Sequence, residues 1–118
     1  MLPIRRMRQL SPADIDMLSA VLVDCVEGGA SVSFMHPLPL PKARAFWQRV
    51  AEDLERGARA LLVAEDAQGI AATVQLQLEQ PENQPHRADL AKMLVHRRAR
   101  GRGVGAALLA AAELLGRD

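Results

Sequence analysis

The stretch Val95-His96-Arg97-Arg98-Ala99-Arg100-Gly101-Arg102-Gly103-Val104-Gly105-Ala106-Ala107-Leu108-Leu109 decides how this chain is read. An apolar strand ends at Val95, a turn of arginine and glycine follows, and an apolar helix begins at Gly103 or Val104. Such a turn offers several main-chain N–H groups at a helix N-terminus, where the macrodipole adds about half a positive charge. Glycines let an anion approach the main chain closely. Arg98, Arg100 and Arg102 can add charge-assisted bonds. The pattern points to a phosphate or pyrophosphate cradle. A tight strand-to-helix connection is the plainer explanation of the same glycines. A nucleic-acid patch is a third, but the basic run is short and has no aromatic interleaving. A Walker loop needs Gly-Lys-Ser/Thr, which is absent, and the dinucleotide pattern fails because Ala106 stands where its third glycine belongs.

Outward from this turn, the chain reads as strand, two helices, three strands and a helix. Pro3 to Arg8 alternates weakly, as a short strand does. Ser11 can cap a helix with Pro12 at its first position and Asp14 near its positive end. Ile15, Leu18, Leu22 and Val26 give that helix one buried face, and Gly28-Gly29 ends it. Ala30 to Pro41 reads as a loop. Pro41 to Arg56 reads as a second helix with Ala45, Phe46, Val50 and Leu54 inward and Trp47 packing on it. Ala60 to Glu65 is an apolar strand, and Asp66 to Gly69 a turn. Ile70 to Leu78 alternates through Val74-Gln75-Leu76-Gln77-Leu78, the period of a half-buried strand. After a polar loop, Gln80 to Pro85, a last strand runs from Ala88 to Val95, and the final helix stops at Gly116. The sum is α/β content built on an antiparallel meander, in a single domain covering residues 1–118.

Composition narrows the function. Hydrophobic residues at 49% exclude extended disorder, and a net charge of +1 predicts no polyanion partner. No run of about 18 apolar residues is present to span a membrane, and the N-terminus lacks a signal-peptide core. One cysteine cannot form an internal disulfide, which makes the cytoplasm the expected compartment. Cys25 fits the apolar face of the first helix, and His36, His86 and His96 lack metal-ligand spacing, so no metal is expected. Charge is unevenly spread, however. His86 to Arg102 holds six Lys/Arg against the single acid Asp89, and that is where the glycine turn sits.

With these residues in view, the chain resembles the GNAT acyltransferases, which use acetyl-CoA to acetylate amines. Their signature, Arg/Gln-x-x-Gly-x-Gly/Ala after the fourth strand, reads here Arg100-Gly101-Arg102-Gly103-Val104-Gly105. Gly28 to Met35 and Arg87 to Val95 also look like segments of toxin-acetylating members. The resemblance implies a mainly antiparallel mixed sheet flanked by helices, with acetyl-CoA as co-substrate. Its diphosphate would lie on the amides of Gly101, Arg102, Gly103, Val104, Gly105 and Ala106, with Arg100 beside them. Its pantetheine arm would pair with the fourth strand at Met93, Leu94 and Val95. Asp89 matches an acidic position and would act as base; a solvated partner of Arg87 or Lys92 is its plainer role. Ser31, Phe34 and Met35 would line the pocket of a small-molecule amine, a toxin or antibiotic; an ordinary glycine-initiated loop packing two apolar residues is the equal alternative. The family pattern continues past this helix with further strands, so a truncated chain is expected; there is also no tyrosine to protonate the leaving thiolate. The alternative of another class is a non-catalytic module that binds CoA or assembles with a second copy through its exposed sheet edge.

Overall fold

A computed structural model of the protein describes residues 2–28, 38–77 and 89–116, with the backbone alone for 89–92 and 116. Strand β1 (Ile4–Met7) leads to helices α1 (Pro12–Glu27) and α2 (Leu40–Arg56). Strands β2 (Arg59–Asp66), β3 (Gly69–Gln77) and β4 (Asp89–Val95) follow, then a 3-10 turn (Arg97–Ala99) and helix α3 (Val104–Gly116). The four strands form one antiparallel sheet in the order β1-β2-β3-β4. The fold is mixed α/β, as expected.

Local chemistry explains the first helix. The Ser11 hydroxyl accepts from Asp14 N–H at 3.1 Å and the Asp14 carboxylate accepts from Ser11 N–H at 2.9 Å. Two orphan donors of the first turn are thereby satisfied. Leu18, Leu22, Cys25 and Val26 then pack with α2 against Leu61, Val63 and Leu94 on one face of the sheet. On the other face Val104, Leu108 and Ala112 of α3 cover Leu62, Val74 and Leu76 among several alanines, whose small side chains let the helix lie close.

Two expectations about faces are corrected. The buried stripe of α2 is Ala43, Trp47, Val50 and Leu54, while Ala45 and Phe46 are only half-buried. The 4-3-4 spacing of that stripe follows the helix period, and the wide Trp47 ring takes its centre. Strand β3 is buried on both faces, not one: Thr73 and Gln75 are fully buried despite their polarity. Helices cover both sides, and the side-chain oxygens find partners, while among the described residues the buried Gln75 Nε2 has none. Thr73 Oγ1 donates to Leu62 O at 3.0 Å, and Gln75 Oε1 accepts from Arg59 Nη1 at 2.6 Å.

Candidate functional site

The site is built from the outer edge of β4 and the turn that follows it. His96 N–H donates to Ala71 O at 2.8 Å, continuing the register Val95↔Ala72, Leu94↔Thr73 and Met93↔Val74. Antiparallel pairs alternate, so Leu94 turns its main chain toward β3 while Met93 and Val95 turn theirs outward. Among the described residues no strand pairs with that outer edge. Farther back the register slips: Leu90 faces Leu76, so Ala91 and Lys92 together oppose the single Gln75. This bulge bends the edge strand locally. Val95 O is already engaged by Arg100 Nε at 3.1 Å and by Cys25 Sγ at 3.5 Å, leaving Met93 N–H and C=O and Val95 N–H on the edge.

The turn itself leaves donors free. After the 3-10 residues, Gly101 and Gly103 adopt φ of +80° and +73°, a region that side-chain-bearing residues avoid. A Cβ at either glycine would meet nothing within 4 Å, so open space lies in front of both. The first helical bond of α3 is Ala107 N–H to Gly103 O at 3.1 Å. Among the described residues the amides from Gly101 to Ala106 meet no acceptor. The turn and the strand edge adjoin. A Cβ on Gly105 would lie 3.7 Å from Met93 Cε and 3.9 Å from Val95 Cγ2.

The arginines of the run divide by role. Arg97 donates its N–H to Asp24 Oδ2 at 2.9 Å and its Nε to Asp24 Oδ1 at 2.7 Å. Arg98 donates Nε to Asp66 Oδ2 at 2.8 Å and Nη2 to Ile70 O at 2.9 Å. The expectation that Arg98 serves an anion is therefore corrected: its guanidinium is spent on the β2–β3 hairpin. Arg100 and Arg102 are exposed and form no direct ion pair among the described residues, though the charge of Arg102 reaches Asp66 and helps to lower it. Burial alone pushes Asp24 up, but the Arg97 N–H, its guanidinium and the His96 ring outweigh it and hold Asp24 below the usual carboxylate value. Arg98 lowers Asp66 likewise. Burial pushes the Cys25 thiol up, which suits a neutral core residue.

These lowered carboxyls set a pH dependence. A group depressed in the folded state contributes stability that is complete above its unfolded value of about 3.9 and is lost as pH falls toward the folded value. Melting temperature should therefore stay level down to about pH 5 and then drop. Asp24→Asn should start lower and show a shallower acid drop; an acid limb identical to that of the unaltered chain would refute the assignment.

The profile of the acetyltransferase (GNAT) family matches residues 30–118. The chain belongs to the GNAT family. A ribosomal-protein-alanine N-acetyltransferase from Brucella melitensis is similar at 28% identity and a TM-score of 0.72, over 98% of this chain and 67% of that one. A phosphinothricin acetyltransferase from Sinorhizobium meliloti, in complex with AcCoA, shares the fold at 20% identity and a TM-score of 0.69, covering 98% of this chain and 58% of that one. PaiA N-acetyltransferase from Thermoplasma acidophilum, in complex with coenzyme A, does so at 15% identity and 0.70, covering 98% and 73%. Acetyl transfer to an amine is general to the GNAT family. Among the described residues no group of His, Cys, Asp and Glu could hold a metal, and no helix is long and apolar enough to cross a membrane.

Within this GNAT chain the expected cofactor residues Met93, Val95 and Gly105 adjoin at one edge of the sheet, while Arg100, Gly101, Arg102, Gly103, Val104 and Ala106 belong to the same turn and helix start, with the Val104 side chain buried under α3. Leu94 lies among them, but it is 2% exposed and packs against the α1 side. Asp89 enters β4 opposite Gln77, and its side chain lies outside the described residues. Ser31, Phe34 and Met35, the loop at 80–85, His36 and His86 also lie outside them. Sequence reasoning missed Asp24. Its signal was an acid in the last turn of α1, where the helix dipole disfavours negative charge, inside an apolar stripe.

Proposed function

We propose that this chain transfers acetyl from acetyl-CoA to a primary amine of a small molecule of the toxin or antibiotic class. The supporting observation is the run of unmatched amides from Gly101 to Ala106 beside the open edge at Met93 and Val95. A diphosphate is an acceptor-only anion, and amides at a helix start favour it. Arg100 and Arg102, which form no direct ion pair among the described residues, add charge. An acylated amide-bearing arm fits an edge that still offers Met93 N–H and C=O and Val95 N–H.

In the reaction, the neutral amine nitrogen attacks the thioester carbonyl. The new C–N bond forms, the C–S bond breaks, and the departing thiolate takes a proton to leave as the thiol. An outward main-chain N–H of β4 polarises the carbonyl. Asp89 accepts the amine proton, directly or through water. The cytoplasm, where acetyl-CoA is supplied, is the compartment that suits this chemistry.

Calorimetric titration with acetyl-CoA, followed by thiol-release assays over a panel of small amines and alanine-started peptides, tests the proposal. Binding with turnover of a small amine is expected. Absence of acetyl-CoA binding would sink the reading, and turnover restricted to peptides would move the acceptor to a protein N-terminus. Pairing of a second copy on the same β4 edge is the rival use of that edge. Light scattering that shows a monomer turning over acetyl-CoA would dismiss it.

A further inference from the structure

We propose that Asp24 is a positioning residue for the diphosphate seat, gripping the β4–α3 turn from α1 and fixing where its free amides point; this rests on the cradle reading above. Asp24 sits in the last turn of α1, the negative end of the helix dipole, with its side chain only 9% exposed. A carboxylate so placed is costly unless it is paired and hydrogen-bonded. Its partners come from the turn that follows β4: Arg97 N–H at 2.9 Å, Arg97 Nε at 2.7 Å and His96 Nε2 at 3.6 Å. Glu27 adds a long contact to the same Arg97, at 3.9 Å from Nη2. The bond to Arg97 N–H holds main chain, not merely a flexible side chain.

The opposite side of the turn is held as well. Successive residues of a 3-10 turn point about 120° apart. Arg97 is thus drawn toward α1 while Arg98 is drawn toward Asp66 and Ile70 O of the β2–β3 hairpin. His96 Nδ1 accepts from Arg98 N–H at 3.1 Å and closes the stem. Beyond this clamped stem come Gly101 and Gly103, the two residues with the most backbone freedom to lose. Donors ordered before binding cost less on binding, so a fixed stem converts loose amides into a seat. Asp66 touches Arg98 through its side chain alone, whereas Asp24 grips the backbone; Asp24 therefore carries the orientation.

Amide-detected NMR titrations with coenzyme A and with pantetheine, which lacks the diphosphate, test this. In the unaltered chain CoA should shift the amides of residues 101–106 together with Met93 and Val95, and pantetheine only the latter two. Asp24→Asn should weaken CoA by about tenfold while the pantetheine Kd stays unchanged, because only the diphosphate seat loses its order. Equal weakening of both ligands would mean a general structural role, and unchanged CoA affinity would mean none; either overturns the proposal. If CoA leaves residues 101–106 unshifted in the unaltered chain, the cradle itself falls and Asp24's role with it. Should Asp24→Asn not fold, Arg97→Ala serves, since that side chain is 56% exposed. It strips one of the two clamp bonds and should weaken CoA about threefold with pantetheine unaffected; no change would overturn the proposal.

Discussion

Gly103→Glu is expected to bind acetyl-CoA about 100- to 1000-fold more weakly while keeping its fold. A Cβ at this position meets no atom within 4 Å, so the new side chain displaces nothing and extends into the open space before the free amides. At φ +73° a side chain costs about 1–2 kcal/mol of backbone strain, which a folded domain tolerates. The charge does the damage: two like charges about 4 Å apart repel by about 4 kcal/mol at an effective dielectric of about 20. Each 1.4 kcal/mol is tenfold in affinity. Gly103→Ala carries the strain without the charge and should lose less than about tenfold. Calorimetry on the three proteins decides. If Gly103→Glu binds within threefold of the unaltered chain, the diphosphate does not sit on this turn.

Trp47→Ala should have the largest effect on stability. The ring is fully buried at the centre of the α2 stripe and meets Phe46 edge to face, with centroids 5.0 Å apart at 81°. Removing a buried tryptophan costs about 3–5 kcal/mol, a large share of the 5–15 kcal/mol that holds a typical domain together. The melting temperature should fall by more than about 10 °C. Trp47→Phe should fall much less. It keeps a ring, and among the described residues Nε1 has no acceptor, so no hydrogen bond is lost. A fall below about 4 °C for the alanine variant would show that the ring does not anchor α2 to the sheet.

Much of the architecture was legible because it rests on local signals. Ser11 with Asp14 is a capping pair within four residues, and both bonds form. The strand–glycine–helix unit at 95–109 announces itself through a β-branched strand end, glycines free to take positive φ, and a run of helix-favouring Ala and Leu. The faces were less legible. Alternation through Val74 to Leu78 spoke for one buried side of β3, yet Gln75 is buried because Arg59, sixteen residues earlier in sequence, reaches its amide. For α2, the apolar residues Ala43, Ala45, Phe46 and Trp47 permit two stripes. Only the sheet beneath selects the one centred on Trp47.

The arginine run shows the same division at the candidate site. Composition marked residues 97–102 as the positive feature of a near-neutral chain, and Gly101 and Gly103 marked where an anion could come close. Which arginines a carboxylate claims directly could not be read there, since the answer depends on Asp24 and Asp66, 73 and 32 residues away in sequence. Local order along the chain fixed the elements, the glycine turn and the family, because caps, periodicity and backbone freedom act over a few residues. Folding alone assigned the partners: a guanidinium bonds whichever carboxylate the packing of helices and hairpin brings within 3 Å, and that proximity is written in no single segment.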